Sequence, residues 1–292
     1  MLPEPPPLPA ARGVWSRFRR RRVASLSLVF VAGIGLLALA APLLTAPGPF
    51  PLVRFAPETI DLSHRLSSPS SEHWLGTDDL GRDLLSRMIH GARVSLAVGL
   101  AATVISLIVG SLLGALAGYY GGAIDWCISR LIELVLCFPF LLLVLAIVAL
   151  FEPSLWTIMI ALGLTSWTSE ARYVRGEILR LREQEFAVAA RAGGAGDFRI
   201  ITRHLLPNAL APVLVSASFG VAYAIIVESS LSFLGFGVPL PAPSWGAMLA
   251  AAEQFLGYAW WLALFPGLAI FSTVVAFNLI GDGFRHALDP QE

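Results

Sequence analysis

The sequence contains no lysine, so arginine supplies all 20 of its Lys/Arg side chains. A P-loop needs a lysine to hold the β- and γ-phosphates of a nucleotide, and this chain therefore has no Walker A site. Charged residues make up only 14% of the 292 residues and balance to a formal net charge of zero. A chain without a basic excess has no global field for nucleic acid, so we expect no nucleic-acid partner.

Cysteine is also scarce, with two residues in the chain. Cys127 and Cys137 are ten positions apart in one apolar segment, which is about 15 Å along a helix and beyond the reach of an intrahelical disulfide. We interpret both as inert packing residues.

Metal-ligand patterns are weak. His73, Asp78, Asp79 and Asp83 lie close in sequence, but their spacing does not place one histidine and two carboxylates on a single helical face. We interpret these four as helix caps and solvated charges, and we predict no metal site.

Apolar residues are abundant, at 56% of the chain with a mean hydropathy of +0.73. A bilayer core of about 30 Å needs roughly 20 apolar residues in a helix, and several segments approach or exceed that length. The six predicted spans are residues 23–44, 94–118, 126–151, 155–167, 209–233 and 258–280. We therefore predict an all-α integral membrane protein with about six transmembrane helices.

The distribution of arginine predicts the orientation of these spans. Arg19 to Arg22 precede the first span, and seven arginines lie between Arg172 and Arg203, whereas the connection 45–90 has more acids than bases. By the positive-inside rule, both chain termini are expected in the cytoplasm. The expected divisions are a basic cytoplasmic tail (1–22), a first transmembrane helix (23–44), an extracytoplasmic connection (45–92), a core of five transmembrane helices (93–284) and a cytoplasmic tail (285–292).

The extracytoplasmic connection is expected to contain an amphipathic helix at the outer interface. Apolar residues recur at helical spacing, and Asp78 or Asp79 is placed to cap the first turn. The apolar positions are Leu80, Leu84, Leu85, Met88 and Ile89.

Glu228 is an ionisable residue late in the fifth span, next to Ser229. Such residues are costly in a membrane and usually face a bundle interior or a water-filled path. Two interpretations stay open: Glu228 lines a transport pathway, or it is a structural carboxylate paired with a hydroxyl or with a partner subunit.

A polar, arginine-rich segment from Glu185 to Asn208 separates two apolar spans. Good helix formers end at residues 193–196, which are Gly-Gly-Ala-Gly; Asp197 can cap a second helix, and Pro207 is expected to end it. Small residues, including Ala189, leave room for another protein to approach the backbone. The flanking arginines Arg191, Arg199 and Arg203 would orient a contact with acidic groups.

This segment resembles the EAA motif of permease subunits in bacterial ATP-binding-cassette importers. The matching residues are Val188-Ala189-Ala190, Gly194 and Leu206-Pro207, with Val188 in place of the usual leading glutamate and His204 in place of the usual isoleucine. The resemblance implies a cytoplasmic coupling helix within residues 184–207, called the coupling segment below, which sits in a cleft of the ATPase subunit. The implied ATPase-coupling residues are Glu185, Ala189, Ala190, Arg191, Gly194, Asp197, Leu206 and Pro207.

Four further motifs are similar to the C-type subunit of the dipeptide/oligopeptide/nickel permease family. They are residues 73–83, 228–237, 243–246 and 281–290, so the resemblance covers about residues 15 to 290. It implies the type I importer permease fold in the bacterial inner membrane. It also implies a second permease, two ATPase subunits that bind ATP and Mg²⁺, and an extracytoplasmic substrate-binding protein. This chain would carry no cofactor and perform no catalysis.

Other functions stay open at this point. Nickel or another small solute could replace peptides as cargo, and a partner-independent channel would also explain the spans. An intramembrane protease using Ser229, Ser230 or Ser232 beside Glu228 would need a histidine at similar depth, but the histidines lie outside the apolar spans.

Overall fold

The computed structural model describes residues 11–45, 53–152, 154–239 and 241–288, which are predominantly α-helical. The helices are α1 (Ala11–Arg20), α2 (Arg22–Leu39), α3 (Ala41–Leu44), α4 (Leu84–Tyr120), α5 (Gly122–Leu136), α6 (Phe140–Leu150), α7 (Leu155–Leu181), α8 (Glu185–Ala192), α9 (Asp197–Arg199), a π-helix (Ile200–Leu205), α10 (Leu206–Phe233), α11 (Trp245–Ala252) and α12 (Trp261–Leu288). These ranges contain no β-strand beyond two isolated bridges. The all-α prediction is confirmed. Parts of both predicted tails (1–10 and 289–292) and of the connection (46–52) lie outside the described residues.

Among the described residues, four helices are long and apolar enough to cross a membrane: α2, α4, α10 (over Val213–Phe233) and α12. The pair α5 and α6 counts as a fifth candidate but is bent by 87°. Pro139 precedes α6 and cannot donate a backbone hydrogen bond, which explains the interruption inside the predicted span 126–151. The predicted span 155–167 is the first half of α7, a helix of 27 residues whose charged second half is also helical.

The helices define two ends of the molecule. At the first, called the loop end, Trp261 Nε1 at the start of α12 donates to the Thr77 carbonyl (3.1 Å) and Trp245 Nε1 donates to the Met88 carbonyl (3.0 Å). At the other, called the coupling end, Arg182 Nη1 after α7 donates to the carbonyl of Gly118 (2.9 Å). The coupling segment follows directly from there.

Glycines on α4 bring it into backbone contact with α7. A Cβ added at Gly110, Gly114 or Gly118 would lie within 2.5–2.8 Å of an atom of α7, and for Gly114 that atom is the Ala171 carbonyl oxygen. Spaced by four residues, these glycines form one stripe along α4. Such stripes allow close helix packing in membranes, where water does not drive association.

The start of α4 corrects two predictions. Its cap is Asp83, which accepts from the Ser86 N–H (2.8 Å), not Asp78 or Asp79. Asp78 instead accepts from backbone N–H groups in its own loop and forms an ion pair with Arg82 (2.7 Å). Because α4 runs without interruption from Leu84 to Tyr120, the predicted amphipathic helix is the first part of this long helix and not a separate helix.

Two further expectations are corrected by burial. Asp83 is a helix cap, as expected for some of these residues, but neither His73 nor Asp83 is a solvated charge: their side chains are 4% and 2% exposed, and His73 Nδ1 lies 2.9 Å from Asp83 Oδ2. Cys127 and Cys137 do not pack inside the chain, because both are exposed. Neither outcome follows from residue type alone, since both depend on which helix face meets a neighbour.

Candidate coupling surface and membrane cavity

The first half of the coupling segment is the short helix α8, which ends in a Schellman motif. The Ala195 N–H donates to the Ala190 carbonyl (3.1 Å), and the Gly194 N–H donates to the Arg191 carbonyl (3.0 Å). Gly194 takes a φ of +77°, which glycine adopts without steric cost. The motif reverses the chain sharply, so α8 and the next helix meet at a fixed angle.

The coupling segment is anchored to the membrane helices by an apolar cluster. Ala187 on its inner face is fully buried, together with Ile200 and Leu205 from the π-helix. These side chains pack with Val174 and Ile178 of α7. Ala190 and Leu206 pack at the edge of this cluster and are half-buried.

The second half of the segment has no break before the membrane. The π-helix Ile200–Leu205 continues directly into α10, so the expectation that Pro207 ends the helix was wrong. Pro207 lies in the first turn of α10, and its fixed φ suits a helix. The coupling segment and α10 therefore form one continuous helical element.

Asp197 has a different role from the expected cap. Gly196 precedes the helix, whereas the Asp197 carboxylate accepts from the Tyr119 hydroxyl (2.7 Å) at the end of α4. The Arg191 guanidinium lies 5.8 Å from the centre of the Tyr119 ring. Two predicted coupling residues thus contact the same side chain of α4, from opposite sides of the Gly194 turn.

The outer face of the segment is exposed and mixed in character. Glu185, Ala189, Arg191 and Gly194 are all exposed, as the docking interpretation requires. Phe198, which the sequence reading passed over, is 80% exposed. An aromatic ring this accessible beside three arginines gives the surface an apolar contact point as well as charge.

Glu228 and Ser229 lie at the loop end of α10, far from the coupling segment. Glu228 is fully buried, and its Oε1 accepts from Ser232 Oγ (2.9 Å) and Ser244 Oγ (2.8 Å). The Ser229 hydroxyl donates to the Ile225 carbonyl of its own helix (2.9 Å). This geometry ties α10 to the start of α11, in keeping with the structural interpretation of Glu228.

A second carboxylate that packs between helices, Glu170 of α7, was not singled out from the sequence. It borders a cavity of about 400 Å³ between the α5–α6 bend, α7 and α10. The Ser216 hydroxyl of α10 lies 2.8 Å from Glu170 Oε2. A usable signal was present: Glu170 ends a run of hydroxyl residues (Thr165, Ser166, Thr168, Ser169) that continues the helix past the predicted end of the span.

No set of three or more histidine, cysteine or acidic side chains is placed to hold a metal ion in the described part of the chain.

Comparison with known proteins gives consistent matches. A family described as "binding-protein-dependent transport system inner membrane component" matches residues 110–291, and a second, "N-terminal TM domain of oligopeptide transport permease C", matches residues 10–69. The dipeptide transport system permease protein DppC of Alkalihalophilus pseudofirmus is 43% identical over 280 residues, covering 96% of this chain and 90% of that protein. The oligopeptide transport system permease protein OppC of Escherichia coli K12 is 43% identical over 287 residues, covering 96% and 92%.

Among solved structures, the inward-facing MetNI methionine ABC transporter matches with a TM-score of 0.55 at 18% identity. The match covers 69% of this chain and 96% of that chain. At this identity the likeness concerns the fold alone.

Proposed function

Because the chain belongs to the family of binding-protein-dependent transport system inner membrane components, we propose that it is the C-type permease subunit of an importer of dipeptides or oligopeptides. The observation that carries the cargo class is the 43% identity over nearly the whole chain to permeases named for peptides. Nickel and other small solutes are not favoured, since none of the relatives cited here is named for them.

We further propose that the coupling segment docks into a cleft of a separate ATPase subunit. The segment presents an exposed helix with small residues, an exposed Phe198 and flanking arginines, while its inner face is held by the buried Ala187 cluster. ATP and Mg²⁺ would be bound by that subunit, and two such subunits would serve this chain and a second permease. A partner-independent channel would leave this exposed surface without a function.

Displacement of the docked segment would reach the membrane through two connections. Arg182 links the end of α7 to the end of α4, and the π-helix leads into α10 without a loop. Closure of the ATPase dimer on ATP would move these helices together and rearrange the pathway for cargo delivered by a binding protein. Hydrolysis would restore the inward-facing state.

The orientation of the protein follows as part of the same proposal. We place the coupling end in the cytoplasm, because it carries seven arginines between Arg172 and Arg203. The segment α1 packs on the last turns of α12, where Phe18 stacks on Phe284 with 4.5 Å between ring centres. Both described chain ends would then be cytoplasmic.

Co-purification tests the assembly. The tagged chain, extracted from its native host in mild detergent, is expected to retain a second permease and P-loop ATPases that mass spectrometry identifies. A chain that is reproducibly alone, in a preparation that keeps other membrane complexes intact, would contradict the assembly and favour the channel.

A bulky substitution tests the docking surface. Ala189 lies on the exposed face of a regular helix, so Ala189→Trp adds volume without backbone strain, whereas any side chain at Gly194 would also be strained by its positive φ. We expect Ala189→Trp to insert normally and to lower ATP-driven dialanine uptake by at least about tenfold, equivalent to about 1.4 kcal/mol of lost productive contact. The matched control is Ala123→Trp, at another exposed position near the coupling end, and full uptake by Ala189→Trp would refute the docking surface.

A further inference from the structure

The cavity beside Glu170 lies towards the coupling end of the helices that line it. Glu170 is 11 residues, about 16 Å, before the end of α7. It packs against Gly110 of α4, which is ten residues, about 15 Å, before the end of α4 and 26 residues, about 39 Å, after its start. Ser216 is ten residues into α10, at a comparable distance from the coupling end. An ionisable group packed between membrane helices is costly unless it faces water or a counter-charge.

Glu170 has no cationic partner among the described residues. The one hydrogen bond that its carboxylate receives in the structure comes from the neutral Ser216 hydroxyl. Arg175, five residues further along α7, is engaged in a two-pronged ion pair with Asp125. Glu170 thus lines the cavity, and no positively charged side chain is among the described residues that line it with Glu170.

Two of the hydroxyls that line the cavity are committed as donors. Thr165 Oγ1 donates to the Ala161 carbonyl (2.7 Å), and Ser166 Oγ donates to the Leu162 carbonyl (2.8 Å). Each of these two hydroxyls then presents only lone pairs to other groups. Together with the Glu170 carboxylate they give the wall acceptors for a ligand with N–H donors and one positive charge.

Aromatic rings complete the wall. Phe138 and Phe140 come from the α5–α6 bend, and Phe219 and Tyr223 come from α10. Phe140 and Tyr223 are close to each other, with 5.3 Å between ring centres. Ring faces attract a cation when water is excluded, so the same cavity combines a carboxylate with surfaces that favour an ammonium group.

We propose that this cavity is a transient binding site for a protonated primary amine, with Glu170 as its counter-ion and the aromatic rings around it. This deepens the proposed function and rests on it for the source of the amine, which is the amino terminus of a peptide in transit. A peptide carboxylate would find no cation in this wall and would be held elsewhere. The site would therefore orient a peptide by its amino terminus.

The direct test measures binding without requiring transport. The complete purified importer is heated with dialaninamide, which carries only the ammonium charge, or with N-acetyl-dialanine, which carries only the carboxylate. At about ten times its Kd, dialaninamide is expected to raise the Tm of the wild-type complex by about 2–5 °C. It should have no effect on Glu170→Gln, and N-acetyl-dialanine should affect neither complex.

The matched control is Glu133→Gln, which removes a carboxylate that is 58% exposed and pairs with Arg130 outside the cavity. It should keep the full response to dialaninamide. Equal shifts in wild type and Glu170→Gln, or no shift in wild type, would overturn the proposal. So would loss of the second permease from Glu170→Gln, because Glu170 would then be paired with a cation of that subunit.

Uptake of radiolabelled dialanine separates this proposal from the proposed function. If peptides are the cargo, Glu170→Gln is expected to lower uptake by about tenfold while ATP hydrolysis continues, as for loss of one charge-assisted contact. A wild-type importer that responds to dialaninamide but takes up no dialanine would refute peptide cargo and uphold the amine site. Undiminished dialanine uptake by Glu170→Gln would refute the amine site and uphold peptide cargo.

Discussion

The contact between α4 and α7 gives a prediction whose size can be worked out from distances. A Cβ on Gly114 would lie 2.5 Å from the Ala171 carbonyl oxygen and 2.9 Å from the Val174 Cβ, whereas ordinary contact begins at 3.4 Å. Gly114→Ala therefore requires the two helices to separate locally by about 0.9 Å, the shortfall from ordinary contact. Overpacking of this kind costs about 1–3 kcal/mol.

The expected result is a fall in Tm of about 2–12 °C for the detergent-purified complex. Gly114→Leu should cost more than Gly114→Ala, because the side chain must be accommodated between two backbones. Gly176→Ala is the control, since Gly176 is in α7 but has no atoms within 4 Å of an added Cβ. A Gly114→Leu complex as stable as Gly176→Ala would refute the close packing of α4 on α7.

Two further predictions concern the loop end. Glu228→Ala removes the acceptor of two buried hydroxyls and is expected to destabilise the complex by about 2–4 kcal/mol. Glu228→Gln keeps an accepting oxygen, so its loss of stability should be less than half of that. Equal melting curves for wild type and both variants would contradict the structural role of Glu228. The hydrogen bonds from Ser63 and His64 lower the pKa of Asp61 to about 2, and the hydrogen bond to Asp61 raises the pKa of His64 above its usual 6.5. The stabilising contribution from Asp61 is lost as pH falls from about 4 towards 2, and that from His64 is lost as pH rises through its raised pKa. The Tm difference between wild type and His64→Ala should therefore be largest at about pH 4–6.5 and vanish at higher pH. A difference that does not depend on pH would refute the pairing.

The sequence was informative wherever one residue type decides the outcome. Each candidate span among the described residues overlaps a predicted apolar run, although the fourth predicted span, 155–167 in α7, is not one of these candidates. The glycines at residues 193–196 located the turn of the coupling segment. The all-helical class needed no tertiary information, since hydrocarbon leaves a chain few ways to satisfy its backbone.

Prediction failed where a neighbour decides the outcome. Pro207 has the chemistry of a helix terminator, but a π-helix before it allows the chain to continue. Glu170 has the chemistry of a cytoplasmic charge after a short span, but α7 remains helical and places it on a cavity wall. For Glu170, the packing of α7 against α10 decides the outcome.

The glycine stripe has a mechanical consequence for any conformational cycle. The backbones of α4 and α7 are in contact at three glycines spaced by four residues. The two helices cannot slide or tilt against each other there without a steric clash, so they must move as one rigid body. Bending is then confined to places where the chain already turns, above all the 87° bend between α5 and α6. The wall of the Glu170 cavity is formed partly by α7 and partly by the bend between α5 and α6. Opening this bend would change the volume of the cavity, while the position of the Glu170 carboxylate along α7 would stay constant.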